Sequence, residues 1–300
     1  MSAPMTTGVE PEPAAPSSGA ASVPVAQRRR SLATPLTYLI AIVVAAFALA
    51  PLIYVVIGGF RTTGQLADRP LALPSPWKLS NYTGVLKAGT FWREVANSLL
   101  IAVVSTGLVV ICGAMAAFIL SRYDFRGRDS LYQFFVAGLL FPVAVAILPL
   151  YLMLRNLNML DTPWAVALPE AAFGLPMTIV ILRPFMRNVP SELEDAAVID
   201  GCSRFGFFWR IMLPLSTPAL ITVSILAFVT SWNAYLLPYL LLSEPNQYTL
   251  PLGTATFSSQ YSSDTARILA FTALSMVPAL TFFLVAQRRI IGGLTGSVKG

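Results

Sequence analysis

The chain has 300 residues, 56% of them hydrophobic and only 11% charged, with a formal net charge of +6. Ordinary soluble proteins carry about 25% charged residues, so a soluble globular enzyme is excluded. The absence of histidine removes imidazole acid–base catalysis, His-ligated zinc or haem and a histidine proton relay.

Residues 1–30 are rich in Ala, Pro, Ser and Thr and lack the apolar periodicity that builds a core; a disordered cytoplasmic tail is expected there. Arg28, Arg29 and Arg30 resemble the basic start of a signal peptide, but the uncharged run that follows continues to Phe60. That is far longer than a signal core, and it predicts an uncleaved membrane helix over about 35–58. Further apolar runs predict crossings over about 97–121, 131–154, 163–186, 217–242 and 267–287. Each approaches or exceeds the roughly 20 residues that cross a bilayer. The expected fold class is all-α, a polytopic membrane protein with six transmembrane helices in one transmembrane domain over 31–300. Prolines within several spans, among them Pro142, Pro149, Pro169, Pro176 and Pro238, predict kinked or broken helices.

Six crossings place both termini on one side. That side holds about twice as many basic residues as the other, which orients both termini to the cytoplasm. The placement also explains the positive charge without a nucleic-acid partner. Cys112 and Cys202 offer no disulfide framework.

The inside loop 191–214 carries the strongest pattern and reads as two short helices hinged at a glycine. Ser191 with Glu194 three residues on has the form of a capping box. Glu192, Glu194 and Asp195 add negative charge to a first turn, where the helix dipole favours it. Gly201 suits a left-handed end turn. Phe205, Phe208, Trp209 and Met212 then recur at i, i+3, i+4 and i+7, an aromatic stripe before Pro214. Such a stripe either packs under its own membrane helices, lies in the lipid interface or is covered by a partner.

Asp195-Ala196-Ala197, Gly201 and then Ile211-x-Leu213-Pro214 resemble the EAA loop of permease subunits in bacterial ABC importers; Asp195 stands where that family usually has Glu, with Glu194 adjacent. Asn97-Ser98-Leu99, Ser121 through Arg128, Ser231-Trp232-Asn233 and the C-terminal segment from Gln287 are similar to its carbohydrate branch. Glu170-Ala171-Ala172 has the same letters, but Gly174 follows too soon.

The resemblance implies a permease subunit of the bacterial cell membrane, paired with a second homologous permease. The pair stands on two cytoplasmic ATPases and is served by an extracytoplasmic solute-binding protein. It further implies ATPase coupling through Glu194, Asp195, Ala196, Ala197, Gly201, Phe205, Phe208, Trp209, Ile211, Leu213 and Pro214. No phosphate-binding P-loop motif occurs, so ATP and Mg²⁺ belong to the partner ATPases, and this chain is expected to be non-catalytic and to bind no cofactor.

In the fifth span, Thr230, Trp232, Asn233 and Tyr235 supply hydroxyls, an amide and rings suited to a sugar path, or to packing between helices. Glu170 is read as the only carboxylate well inside a span, placed near the outer interface beside Pro169. The function expected is ATP-driven import of a sugar, in particular an oligosaccharide; the alternative is a self-sufficient carrier or channel for a small polar solute, for which the chain shows no buried ionisable relay.

Overall fold

The computed structural model describes residues 33–257 and 264–295. The expected tail over 1–30 and the C-terminal segment beyond 295 lie outside the described residues. Helices make up the regular structure, and no strand occurs among the described residues. The chain divides into two units at Ala48/Leu49. The described part of the first is the start of helix α1, Ala33–Gly58, whose apolar side chains face outward as lipid contact requires.

The second unit begins within α1 and continues through α2 (Thr63–Asp68) and α3 (Ser80–Lys87) to α4 (Gly89–Arg122), α5 (Arg128–Gly138) and α6 (Val143–Asn156). After these come α7 (Pro163–Arg187), α8 (Glu192–Ile199) and α9 (Arg204–Phe207), then a π-helical turn at Phe208–Met212. A short α10 (Leu213–Leu215) leads to α11 (Thr217–Trp232), α12 (Leu236–Leu241) and α13 (Thr265–Thr295). Among the described residues four helices are long and apolar enough to cross a membrane, and the number reaches six if each of two sharply bent pairs is one crossing.

The span boundaries differ from the sequence expectation in three places, each for a local reason. Helix α4 starts at Gly89 rather than near 97, because Phe91, Glu94, Ser98, Ile101 and Ser105 form one buried stripe whose polar members break the apolar run. The third span is two helices, α5 and α6, bent by 98°. Its break falls just before Pro142, whose ring and missing N–H oppose continuation of a helix. The expected helix over 217–242 stops at Trp232, where the Asn233 amide donates to the Val229 carbonyl at 2.8 Å and competes with the backbone.

The most extensive helix pair is α4 against α7. Two glycines permit the approach: a Cβ on Gly113 would stand 2.5 Å from a Thr178 methyl, and one on Gly174 would stand 2.8 Å from Val109. Helix α11 packs on both, and α13 on α11. At one end of the bundle Phe118, Leu182, Met186, Phe207, Phe208 and Met212 share a core. Further cores join Ile101 to Val166, Leu241 and Leu252, and Phe91 to Trp232, Leu250 and Phe271.

Between α1 and α3, Arg61 is buried and organises a compact connection. Its guanidinium donates to the carbonyls of Pro70 at 2.7 Å, Gln65 at 2.5 Å and Arg69. Asn81 donates to the carbonyls of Gly59 and Arg61, and Phe60 packs against Trp77 and Tyr82. Asn97 and Ser98 tie α4 to the segment after α12: Asn97 donates to the carbonyls of Asn246 and Tyr248, and the Ser98 hydroxyl accepts from Leu250 N–H at 2.7 Å.

Candidate functional site

Two features stand out: an elbow formed by α8, α9 and the π-helical turn, and a cavity among α4, α7 and α11.

The elbow turns at Gly201, whose φ of +75° is costly for a side-chain-bearing residue. Cys202 N–H donates to the Ala197 carbonyl at 2.8 Å and Gly201 N–H to Val198 at 3.0 Å, the paired bonds of a Schellman end. Ser203 then starts α9, its hydroxyl accepting from Gly206 N–H at 3.1 Å. The capping box expected at Ser191 is absent; Ser191 already has helical φ and ψ, and its side chain makes no cap bond.

The aromatic stripe divides. Phe208 is 3% exposed and packs on Phe118 beside the buried Phe207 and Met212, whereas Phe205 is 66% and Trp209 43% exposed. Phe208 is therefore a core residue, correcting its assignment to the partner-facing set. The core-facing edge runs through Phe207, Phe208, Ile211 and Met212, at i, i+1, i+4 and i+5, so its boundary falls between Phe208 and Trp209; a π-helical turn spans the same residues, with Leu213 N–H reaching the Phe208 carbonyl while Pro214 offers no N–H to Arg210. Ala197 is buried, Ile211 and Leu213 are half-buried against the same core, and Asp195, Ala196 and Pro214 are exposed. Val198 and Ile199 join Phe205 and Trp209 as exposed apolar groups around the turn.

The helix ends beside the elbow are fastened to one another and to it. Arg122 donates to the Val189 carbonyl at 2.5 Å, and Arg183 donates to the Leu120 carbonyl at 3.2 Å while lying 3.8 Å from the Tyr132 ring centre. The Arg204 guanidinium stands 4.8 Å from the Tyr123 ring centre. Burial first, and then the neighbouring Glu194 carboxylate, push the Tyr123 phenol above its ordinary value of 10.0.

The cavity has a volume of about 470 Å³, within the range of small-molecule sites. Ser105 and Val109 of α4, Glu170, Phe173, Met177 and Thr178 of α7, and Val223, Thr230 and Ser231 of α11 contribute to its wall. Of the proposed path residues it includes Thr230 alone. Trp232 is instead buried in the core and stacked on Phe228, Asn233 caps α11 through Val229, and Tyr235 stacks on Tyr239. Sequence reasoning missed Ser105 and Thr178, and it set Glu170 at an interface. Glu170 is in the cavity wall, where its Oε2 accepts from the Ser231 hydroxyl. A second carboxylate, Glu94, is buried near the start of α4 beside Phe271 and Gly253. The signal for Ser105 and Ser98 was their seven-residue spacing on the same face of α4 as Phe91 and Glu94.

Bent apolar helices around a polar-dotted cavity, with an elbow fixed at one end, define a membrane transport subunit. The chain belongs to the family of binding-protein-dependent transport system inner membrane components, whose profile matches residues 109–293. It is 34% identical over 249 residues to the diacetylchitobiose uptake system permease protein NgcG of Streptomyces coelicolor, covering 82% of each chain. It is also 34% identical over 262 residues to the arabinooligosaccharides transport system permease protein AraQ of Halalkalibacterium halodurans, covering 86% of this chain and 93% of that one. In fold it is similar to a chain of a bacterial ABC transporter that imports the polysaccharide alginate, with a TM-score of 0.75 and 23% identity over 89% of this chain and 99% of the other.

Proposed function

We propose that this chain is half of the translocation pathway of an ATP-driven oligosaccharide importer, with a second permease subunit completing the path. Two ATPases on the cytoplasmic side supply the energy, this chain performs no catalysis, and an extracytoplasmic binding protein delivers the sugar. The permease relatives named for diacetylchitobiose and arabinooligosaccharides support the substrate class.

The observation that carries the reading is the elbow, where Ile199, Phe205 and Trp209 project from a turn whose other side is sunk into the helix core. Exposed apolar groups on a rigid mount suit docking in a cleft of a moving partner. On this reading the elbow and both termini are cytoplasmic, and the Arg61 and Asn97 connections face the binding protein.

Co-expression with a candidate partner permease and ATPase tests it. A stoichiometric complex whose ATP hydrolysis rises with sugar-loaded binding protein is expected. Sugar flux through this chain alone, with no ATPase bound, would favour the self-sufficient carrier instead.

A further inference from the structure

Just past the end of α1, the stretch 69–79 of the Arg61 connection combines two properties that a loop in water has no need to combine. Its backbone is satisfied from within. The carbonyls of Arg69 and Pro70 accept from the Arg61 guanidinium and that of Ser75 from the Gln65 amide, while the N–H groups of Ala72 and Lys78 donate to the carbonyls of Arg69 and Phe60. Pro70, Pro74 and Pro76 have no N–H to satisfy. The side chains do the opposite: Leu71 is 91% and Leu73 71% exposed, and Trp77 and Leu79 are exposed as well. Peptide groups turned in and apolar groups turned out are what a surrounding of low dielectric demands.

The depth of the stretch is set by α1. Tyr82 donates to the Val56 carbonyl at 2.6 Å, in the last turn of that helix, and the Trp77 ring stands 5.4 Å from Phe60. The connection therefore folds back beside the end of the span, where Ile53 and Val56 are exposed apolar groups, and a tryptophan at that level matches the aromatic belt of membrane proteins. Residues 69–79 include two bases, Arg69 and Lys78, both exposed, and no acid; the nearest in sequence is Asp68.

We propose that residues 69–79 are an interfacial lipid anchor. Leu71, Leu73, Trp77 and Leu79 sink into the edge of the phospholipid leaflet at this end of α1, and Arg69 and Lys78 meet its anionic headgroups. The inference needs only that α1 crosses the bilayer, so it stands apart from the sugar and ATPase readings. On the importer reading the same side is served by the binding protein, which is the other occupant the test must separate.

The test uses the full chain, together with the subunits that co-purify with it, in vesicles of phosphatidylethanolamine and phosphatidylglycerol. On a Cys112→Ala, Cys202→Ser background a bimane label is placed at Leu71→Cys or Leu73→Cys, where the side chain is exposed enough for the label to leave the fold in place, and at Glu244→Cys as an aqueous reference. The signal of the background without the added thiol is subtracted. Brominated lipid should quench the label at 71 and 73 and not at 244, and aqueous iodide should do the reverse. Arg69→Gln combined with Lys78→Gln should abolish the excess of quenching by brominated phosphatidylglycerol over brominated phosphatidylcholine. Iodide quenching at 71 and 73 as strong as at 244 would overturn the proposal. So would iodide access that is lost only when the binding protein is added, which would make the patch a protein-docking surface. An excess that survives the double substitution would overturn the headgroup role of the two bases.

Discussion

The rings of Phe118 on α4 and Phe208 in the elbow lie 5.0 Å apart, centre to centre, and join the second long helix to the hinge loop through a desolvated contact. The next residue, Trp209, is 43% exposed. Two adjacent aromatics thus have separable tasks. Phe208→Ala should cost about 3–5 kcal/mol of stability, as core aromatic truncations do, and lower the thermal midpoint of the detergent-solubilised subunit. Trp209→Ala should leave that midpoint unchanged and weaken ATPase binding by about 2–4 kcal/mol, measured by pull-down. The reverse pattern would mean that Phe208 is the docking group.

The hinge itself is tested by the backbone. A Cβ at Gly201 would meet nothing within 4 Å, so any penalty there comes from φ and not from crowding. Gly201→Asn should therefore be tolerated, because Asn populates the left-handed region, while Gly201→Val should impair ATPase association. Equal behaviour of the two variants in the pull-down would reject the conformational account.

Arg61 predicts a third outcome. Its planar guanidinium serves three carbonyls at the end of α2, a geometry that a lysine ammonium cannot reproduce. Both Arg61→Lys and Arg61→Ala should loosen the connection and speed tryptic cleavage after Arg69. Cleavage as slow as in the wild type would show that the Phe60–Trp77–Tyr82 packing suffices.

The pH dependence follows from Tyr123. Its folded-state pKa is raised, so the folded state holds the phenolic proton more tightly than the unfolded chain. The associated stability is present below about pH 10 and is lost as pH rises through the folded value. Thermal midpoints above pH 10 should fall more steeply for the wild type than for Tyr123→Phe. Parallel slopes would remove Tyr123 from the account.

Orientation can be read with thiols. In right-side-out vesicles an impermeant maleimide should label Glu244→Cys and spare Cys202 until the membrane is opened. Labelling of Cys202 in sealed vesicles would invert the proposed topology.

The elbow shows what the amino-acid pattern could and could not reveal. Gly201 was legible because a left-handed end turn is local, decided by one residue and its nearest N–H groups. The division between Phe208 and Trp209 was not, since the aromatic spacing groups both in one stripe, whereas the edge that turns inward, through Phe207, Phe208, Ile211 and Met212, is set by packing on Phe118. Glu170 illustrates a second limit. Hydropathy placed it near the outer interface, but its burial depends on which helices close over it, a long-range property of α7 and α11. The apolar runs were visible in outline, whereas the bend of 98° between α5 and α6 required three-dimensional packing to fix its angle.

Helix α4 has 34 residues, about 51 Å at roughly 1.5 Å each, against a hydrocarbon thickness of about 30 Å. Even when tilted it extends past the lipid. Asn97 and Ser98 tie its first part to the segment following α12, and Arg122 and Phe118 tie its last turns to the elbow. A single stiff rod held at both ends makes the two faces of the membrane mechanically dependent. A tilt imposed by whatever seats on one face must sweep the opposite end through an arc, with no relay of side-chain rearrangements between them.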